Sequence, residues 1–320
     1  MWALKVRMFL LTAVLFAIIY AVIAVIGYRM GVTNFYFYLV FSFVIMFIQY
    51  MIGPKIVEWS MRVKYIKESE NPRLHQMVRA LATAAHIPVP RIGIADIPIP
   101  NAFAFGRSIR DGRICVTKGI MSLLSDEELR AVLGHEMSHI KNRDVLTITV
   151  LSVIPMILYR IAWQMLFFGG RRDRNSSGGT ALIGLAAFLF YFITNLLVLY
   201  ASRIREYFAD KGSVDLGNRP SALASALYKL VYGSARMPKE AIKDVEGMKA
   251  FFANDPSRAG SDLSDLKNLD LDRSGDISPS EMAALTRKDV KLGFGDKMME
   301  LMSTHPNMLK RIKRLSDWGR

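Results

Sequence analysis

The run His135-Glu136-Met137-Ser138-His139 sets two imidazoles four residues apart, with a carboxylate directly after the first. On an α-helix, positions i and i+4 share a face, so both rings can reach one Zn²⁺ ion. Glu136 lies about 100° around such a helix from His135. That is close enough to take a proton from a water at the ion without ligating the ion itself. The chemistry is metal-assisted hydrolysis. Catalytic zinc usually takes a third protein ligand. A further histidine six residues after His139 would serve, but that position is Val145. No glutamate occurs between Glu136 and Glu206, and Glu206 and Asp210 are again spaced i and i+4. One of these carboxylates can bind the metal while the other hydrogen-bonds a ligand imidazole. Spacing alone leaves open a plainer reading, in which both acids edge an exposed helix and pair with nearby arginines.

The histidines need a helix under them. Ser125 with Glu128 forms the capping-box pattern ahead of a helix running to about Lys141. Upstream, Asn71-Pro72 signals another helix start with proline in its first turn. Between them, the runs 91–97, 101–106 and 112–120 are rich in Ile, Phe and Val, bounded by Pro or Gly, and predict short strands.

Four apolar segments divide the chain. Residues 8–28 carry no charge, exceed the apolar core of a signal peptide, and read as an anchor. Residues 35–52 form a second span, which Gly53-Pro54 is expected to break. Lys5 and Arg7 precede this hairpin and Lys55, Arg62, Lys64 and Lys67 follow it, whereas only Arg29 lies within the turn. The positive-inside rule puts both outer ends in the cytoplasm. Two further stretches, 145–168 and 181–200, flank the Gly- and Ser-rich loop 169–179. Arg171, Arg172 and Arg174 suit an outer face poorly. This second hairpin therefore either tolerates a local violation or dips into the bilayer without crossing. Buried helices of a large soluble core are the remaining alternative.

The overall balance agrees with a membrane setting. Hydrophobic residues make up 52% of the 320 and the net charge is +14, with a mean hydropathy of +0.22. Beside apolar spans, such basicity points to anionic lipid headgroups; no nucleic-acid motif accompanies it. Cys115 is the only cysteine, which excludes an intrachain disulfide and a thiolate zinc cluster.

Gly134-His135-Glu136-Met137-Ser138-His139-Ile140-Lys141-Asn142-Arg143-Asp144, followed after a hairpin by Ser202-Arg203-Ile204-Arg205-Glu206-Tyr207-Phe208-Ala209-Asp210, resembles the HtpX-type membrane metalloproteases, relatives of the CAAX prenyl endopeptidases. Pro100-Asn101-Ala102-Phe103-Ala104-Phe105-Gly106 looks like the family's substrate-binding edge strand, and Ser303-Thr304-His305-Pro306 with Arg311 like its C-terminal motif. The resemblance implies His135, His139 and Glu206 as zinc ligands, Glu136 as catalytic acid and base, and Asp210 as orienter of a ligand. It also implies His305 near the site, stabilising an oxyanion, with Arg311 as its partner. Polypeptides, particularly unfolded or misfolded membrane proteins, are the implied substrates. An extended substrate would pair with Asn101, Ala102, Phe103 and Ala104 by β-augmentation, reading backbone rather than side chains. His75 and His86 match nothing and read as ordinary histidines.

One segment falls outside that pattern. Asp270, Asp272, Ser274, Asp276, Ser278 and Glu281 occupy the oxygen-ligand positions of an EF-hand loop, with Gly275 at its sharp turn. Ca²⁺ is the implied ion; the plainer reading is an acidic turn opening a helix.

The expected fold is α+β and mostly helical, a polytopic membrane protein with a split zincin-like domain. Residues 1–60 form a transmembrane hairpin, 61–143 the first catalytic block, 144–201 a second hairpin, and 202–320 the block that brings the third ligand and the calcium-like loop. The expected function is endoproteolysis at the cytoplasmic face of the cell membrane. The rival is a non-catalytic membrane scaffold or calcium sensor that keeps the metal site as structure.

Overall fold

The computed structural model describes residues 14, 35–167, 177–238, 252, 259–266, 269–272, 274–287 and 293–318. The expected span at 8–28 and the arginines of the 169–179 loop lie outside them. The chain divides into two compact units, one of residues 1–52 and 146–204, the other of 53–145 and 205–320.

Helix α1 is Phe35–Ser60 and carries Pro54 inside it. The expected break at Gly53-Pro54 does not occur. Proline there removes one backbone donor, which a helix can tolerate where local adjustment re-satisfies the freed carbonyl.

Past Ser60, in the larger unit, β1 (Val63–Tyr65) leads into α2 (Pro72–Ala85). The Asn71 side chain accepts the Leu74 N–H at the start of α2, and Pro72 fills its first turn. Strands β2 (Arg91–Ala95), β3 (Ala102–Phe105) and β4 (Arg113–Thr117) complete a four-stranded sheet in the order β1-β2-β4-β3. β2 and β4 are parallel, while β1 and β3 pair antiparallel at the two edges. The run expected to stay extended to residue 120 stops at Thr117, whose hydroxyl accepts the Ile120 N–H and caps α3 (Lys118–Leu123).

Alternation sorts the sheet's two faces. Ile92, Ala102, Ile114 and Val116 join the main core with residues of the packed helices. Ala95, Phe103, Phe105 and Cys115 point the other way, into a second core with Val57, Met61 and Phe252. Against the first face lies α4 (Asp126–Lys141), which carries both site histidines. Ser125 accepts the Glu128 N–H and the Glu128 carboxylate accepts the Ser125 N–H, a closed capping box. Such caps are worth about 1 kcal/mol each and fix where the first turn begins.

α5 (Asp144–Phe167) and α6 (Ser177–Asp215) follow. In the smaller unit they share a core of Leu151, Ile154, Leu158, Val198 and Ala201, while Leu182, Leu185, Phe188, Leu189 and Phe192 are exposed. Among the described residues, one helix is long and apolar enough to cross a membrane, α6 over Ala181–Asp215. The end of the expected 169–179 loop, from Ser177, is already helical.

The larger unit closes with α7 (Pro220–Ala235), α8 (Ala259–Leu266), α9 (Pro279–Thr286), α10 (Phe294–Leu301) and α11 (Met308–Trp318). Leu223, Leu227 and Val231 of α7 and Ile312 and Leu315 of α11 share the main core with α4. Helix dominates, with one small sheet.

Candidate metal centre

Residues of α4, α6 and the segment leading into α11 meet within the larger unit. His135 is 2% exposed, Glu136 4%, Glu206 8% and Asp210 1%. Water cannot solvate these groups, so each must be satisfied by the others or by an ion. The Nε2 atoms of His135 and His139 face each other at 3.1 Å. Glu206 lies beneath both, Oε2 at 3.5 Å from His135 Nε2 and Oε1 at 3.5 Å from His139 Nε2.

Ligand atoms about 2.0–2.1 Å from a tetrahedral ion stand roughly 3.3 Å apart. The three separations match that spacing. Glu206 Oε2 is buried and accepts no hydrogen bond; the Arg311 guanidinium 3.2 Å away offsets its charge, and its lone pair stays open to an ion. A His₂Glu donor set suits zinc.

Each imidazole is held from behind. His135 Nδ1 donates to Asp210 Oδ1 at 2.9 Å, and His139 Nδ1 donates to Asp144 Oδ2 at 2.6 Å. Both rings thus turn Nε2 toward the shared point. Burial disfavours charge on His135, but the Asp210 and Glu206 carboxylates outweigh it and hold that ring up at about 9. Burial, reinforced by His135, pushes His139 down to about 4. A cation taking both Nε2 lone pairs therefore displaces a proton from His135.

Glu136 points to the sheet side of α4. Burial raises its carboxyl above the usual range, although the Ala104 backbone N–H donates to it. A carboxyl raised in this way holds a proton more readily than a solvated glutamate does. Ala104 lies on β3, an edge strand, so the HExxH helix and the NAFA segment touch directly. Asn101 precedes that strand and is fully buried; its N–H donates to Thr117 Oγ1 at 2.8 Å and its carbonyl accepts from the same hydroxyl.

Two C-terminal residues reach the same centre. His305 Nε2 reaches to 3.9 Å from Glu206 Oε1, while its Nδ1 contacts the Thr304 hydroxyl at 2.9 Å. Arg311 forks onto Asp210, with Nε to Oδ2 at 2.9 Å and an Nη to Oδ1 at 2.6 Å. Its other Nη lies 3.2 Å from Glu206 Oε2. Two buried carboxylates hold a planar guanidinium strongly, through paired charge-assisted hydrogen bonds.

Sequence spacing did not assign Asp144 this role, nor Arg205, which pairs with Asp144 Oδ1. Asp144 lies beyond the end of α4, past Arg143 with φ of 56°. Helical periodicity stops predicting direction at such a turn. The signal lay in an acid five residues after His139, readable only once the turn is known.

The EF-hand-like loop forms a separate group. Asp270, Asp272 and Glu281 bring carboxylate oxygens within 4.8 Å of one another. Asp270 accepts the Ser274 and Gly275 N–H groups, and Glu281 Oε1 accepts the Leu271 N–H. Three expected side-chain ligands are committed elsewhere. Ser274 Oγ accepts the Asp276 N–H, Asp276 pairs with Lys229, and Ser278 with Glu281 caps α9. His75 Nε2 contacts the Ile66 carbonyl and His86 caps the end of α2, both structural.

Comparison with known proteins follows the same residues. Positions 68–319 match the model of peptidase family M48. The chain is 54% identical over 230 residues to a protease HtpX homolog of Methanothermobacter thermautotrophicus, covering 72% of this chain and 86% of that one. It is 34% identical over 316 residues to a protease HtpX homolog of Moorella thermoacetica, covering 98% and 93%. The crystal structure of S. mikatae Ste24p shares the fold at a TM-score of 0.50 and 18% identity, covering 98% of this chain and 67% of that one. With its gathered His135, His139 and Glu206, the chain belongs to peptidase family M48, as an HtpX-type metallopeptidase.

Proposed function

We propose that this protein is a multi-pass membrane zinc endopeptidase whose centre faces the cytoplasm and cuts unfolded or misfolded membrane polypeptides. Hairpins at 1–60 and 144–201 would anchor it, leaving 61–143 and 202–320 to build one catalytic body. The observation that carries the reading is the convergence of His135, His139 and Glu206 around one point, with Glu136 beside them accepting the Ala104 N–H of the β3 edge.

Zinc held by those three residues supplies Lewis acidity toward the scissile carbonyl and lowers the pKa of water at the site. Glu136 takes the proton of the attacking water and returns it to the departing amine, so the residue ends each cycle as it began. His305 donates toward the oxygen on which charge develops. Asp210 and Asp144 keep both imidazoles aimed. β3 offers backbone groups to an extended substrate, a contact that favours lack of side-chain selectivity. At the Asp270–Glu281 loop, Ca²⁺ is the second proposed ion, with no part in hydrolysis.

Incubation of the detergent-purified chain with β-casein tests the reading. Cleavage is expected, abolished by chelator and restored by zinc. Glu136→Gln should keep stoichiometric zinc and lose activity by roughly 10²–10⁴-fold. Undiminished cleavage by that variant would remove Glu136 from its role. A chain that binds zinc yet cuts nothing would favour the scaffold instead.

A further inference from the structure

We propose that Asp144 and Arg205 form a latch that aims His139 and locks its helix to the turn bearing Glu206, making both positioning residues for the metal centre. The inference rests on the metallopeptidase reading above and deepens it.

Asp144 is the first residue of α5 and is 7% exposed; Arg205, directly before Glu206 on α6, is 8% exposed. One Asp144 oxygen takes the His139 Nδ1–H at 2.6 Å and the other faces the Arg205 guanidinium. The arrangement repeats on a second scaffold what Asp210 and Arg311 do for His135. Each ligand imidazole has a carboxylate behind it, and each carboxylate has its own arginine.

The latch has a task the other pair lacks. His139 and Glu206 come from separate parts of the chain, joined only through the excursion from 145 to 204. Asp144 and Arg205 stand at the two ends of that excursion. Their ion pair closes it beside the ligands, and closing a long loop at its base is where a single contact constrains most. Arg143, with φ of 56°, turns the chain so that Asp144 faces back toward His139. A non-glycine residue holds that conformation at about 1–2 kcal/mol, so the surrounding contacts must over-determine it. An acid behind a ligand imidazole fixes its tautomer and raises its basicity. Arg205 in turn holds Asp144 in place by their ion pair.

The test uses the full chain in the inactive Glu136→Gln background, so self-cleavage cannot interfere. Zinc affinity is measured by chelator competition, and the ligand field by the visible bands of Co²⁺ in place of zinc. Asp144→Ala should lower zinc affinity about 10–100-fold and shift the cobalt bands. Arg205→Ala should do the same to a smaller extent, with partial recovery in Arg205→Lys. The double Ala variant should bind no worse than Asp144→Ala alone. Wild-type affinity and cobalt bands in Asp144→Ala would overturn the latch, as would full additivity of the two losses. Should Asp144→Ala fail to fold, the isosteric Asp144→Asn carries the same comparison. If the parent chain takes up no zinc, the metallopeptidase reading itself falls; if the parent binds and the Asp144 variants bind equally, only the latch falls.

Discussion

Gly212 on α6 packs against Ser138 of the HExxH helix so closely that a methyl group at 212 would lie 2.1 Å from the Ser138 hydroxyl oxygen. A second close approach occurs one helical turn earlier on α4, where a Cβ on Gly134 would come 2.9 Å from Ser213 Oγ of α6 and 2.3 Å from Asn218 Nδ2 just beyond that helix. At these two glycines, side chains of one segment take the space that a methyl group would fill, so the helix carrying His135 and His139 sits close against the helix carrying Glu206. The metal centre depends on that distance.

Gly212→Ala should therefore push the two helices apart. Overpacking of this kind costs about 1–3 kcal/mol, and zinc affinity should fall with it, because Glu206 moves as a unit with α6. Removing the Ser138 hydroxyl alone would not relieve the clash, since Ser138 Cβ also lies 2.7 Å from the new methyl. Only Ser138→Gly in the same chain should recover binding and thermal stability. Zinc titration and melting of the single and double variants decide it; equal zinc affinity in Gly212→Ala and wild type would show that the helices need not touch to build the site.

Much of this centre was legible in the sequence because its parts follow local rules. The capping residues Ser125 and Glu128 set the start of α4, and i, i+4 spacing then fixed His135 and His139 on one face. The apolar run at 101–106, bounded by Pro100 and Gly106, marked β3, and the family resemblance implied that it would be an edge. What stayed hidden depends on contacts between distant segments. Arg311 chooses Asp210, 101 residues away, and nothing in the spacing of His305 and Arg311 reveals that choice. Gly134 and Gly212 carry no signal until their helices are seen side by side. Strand β1 escaped notice because three residues are too short for a period to show.

Arg311 is wholly buried, and the carboxylates of Asp210 and Glu206 depend on it. Arg311→Met keeps most of the volume and removes the charge, leaving two buried anions short of compensation. Breaking a buried pair in this way costs about 3–5 kcal/mol. Lysine at 311 should rescue little, because one ammonium cannot fork onto both Asp210 oxygens. Saturating zinc should narrow the loss, since the ion restores positive charge beside Glu206. Thermal melts of Arg311→Met with chelator and with zinc test this; a variant as stable as wild type in chelator would refute the role.

The proposed calcium loop should bind weakly. Asp270, Asp272 and Glu281 are grouped, but Asp276 is held by Lys229, and Ser278 caps α9. Few strong ligands and no partner hand place the expected Kd at about 10⁻⁵–10⁻³ M. Lys229 also pairs with Glu128 of the α4 capping box, Nζ to Oε1 at 2.9 Å. Calcium at the loop would thus be felt at the start of the HExxH helix. Calorimetric titration of the full chain against Glu281→Gln, with melting in millimolar calcium, is the measurement. No heat and no stabilisation would leave the loop as a helix-capping turn.

The proposed topology requires both halves of the centre on one side of the bilayer. Glu206 stands with His135 and His139, so the chain from 145 to 204 crosses twice or not at all. On the positive-inside rule, the proposed side is the cytoplasm. Lys67 and Asp215 are exposed positions in the two halves, and Asn34 lies in the expected outer turn. With Cys115, itself buried, replaced by alanine, single cysteines at each position can be labelled in intact cells with a membrane-impermeant maleimide. Asn34→Cys should react at once, while Lys67→Cys and Asp215→Cys should react only after permeabilisation. Early labelling of both Lys67→Cys and Asp215→Cys would invert the protein and keep the centre whole. Opposite accessibility of those two positions would separate Glu206 from the histidines, which no metal site assembled from all three could survive.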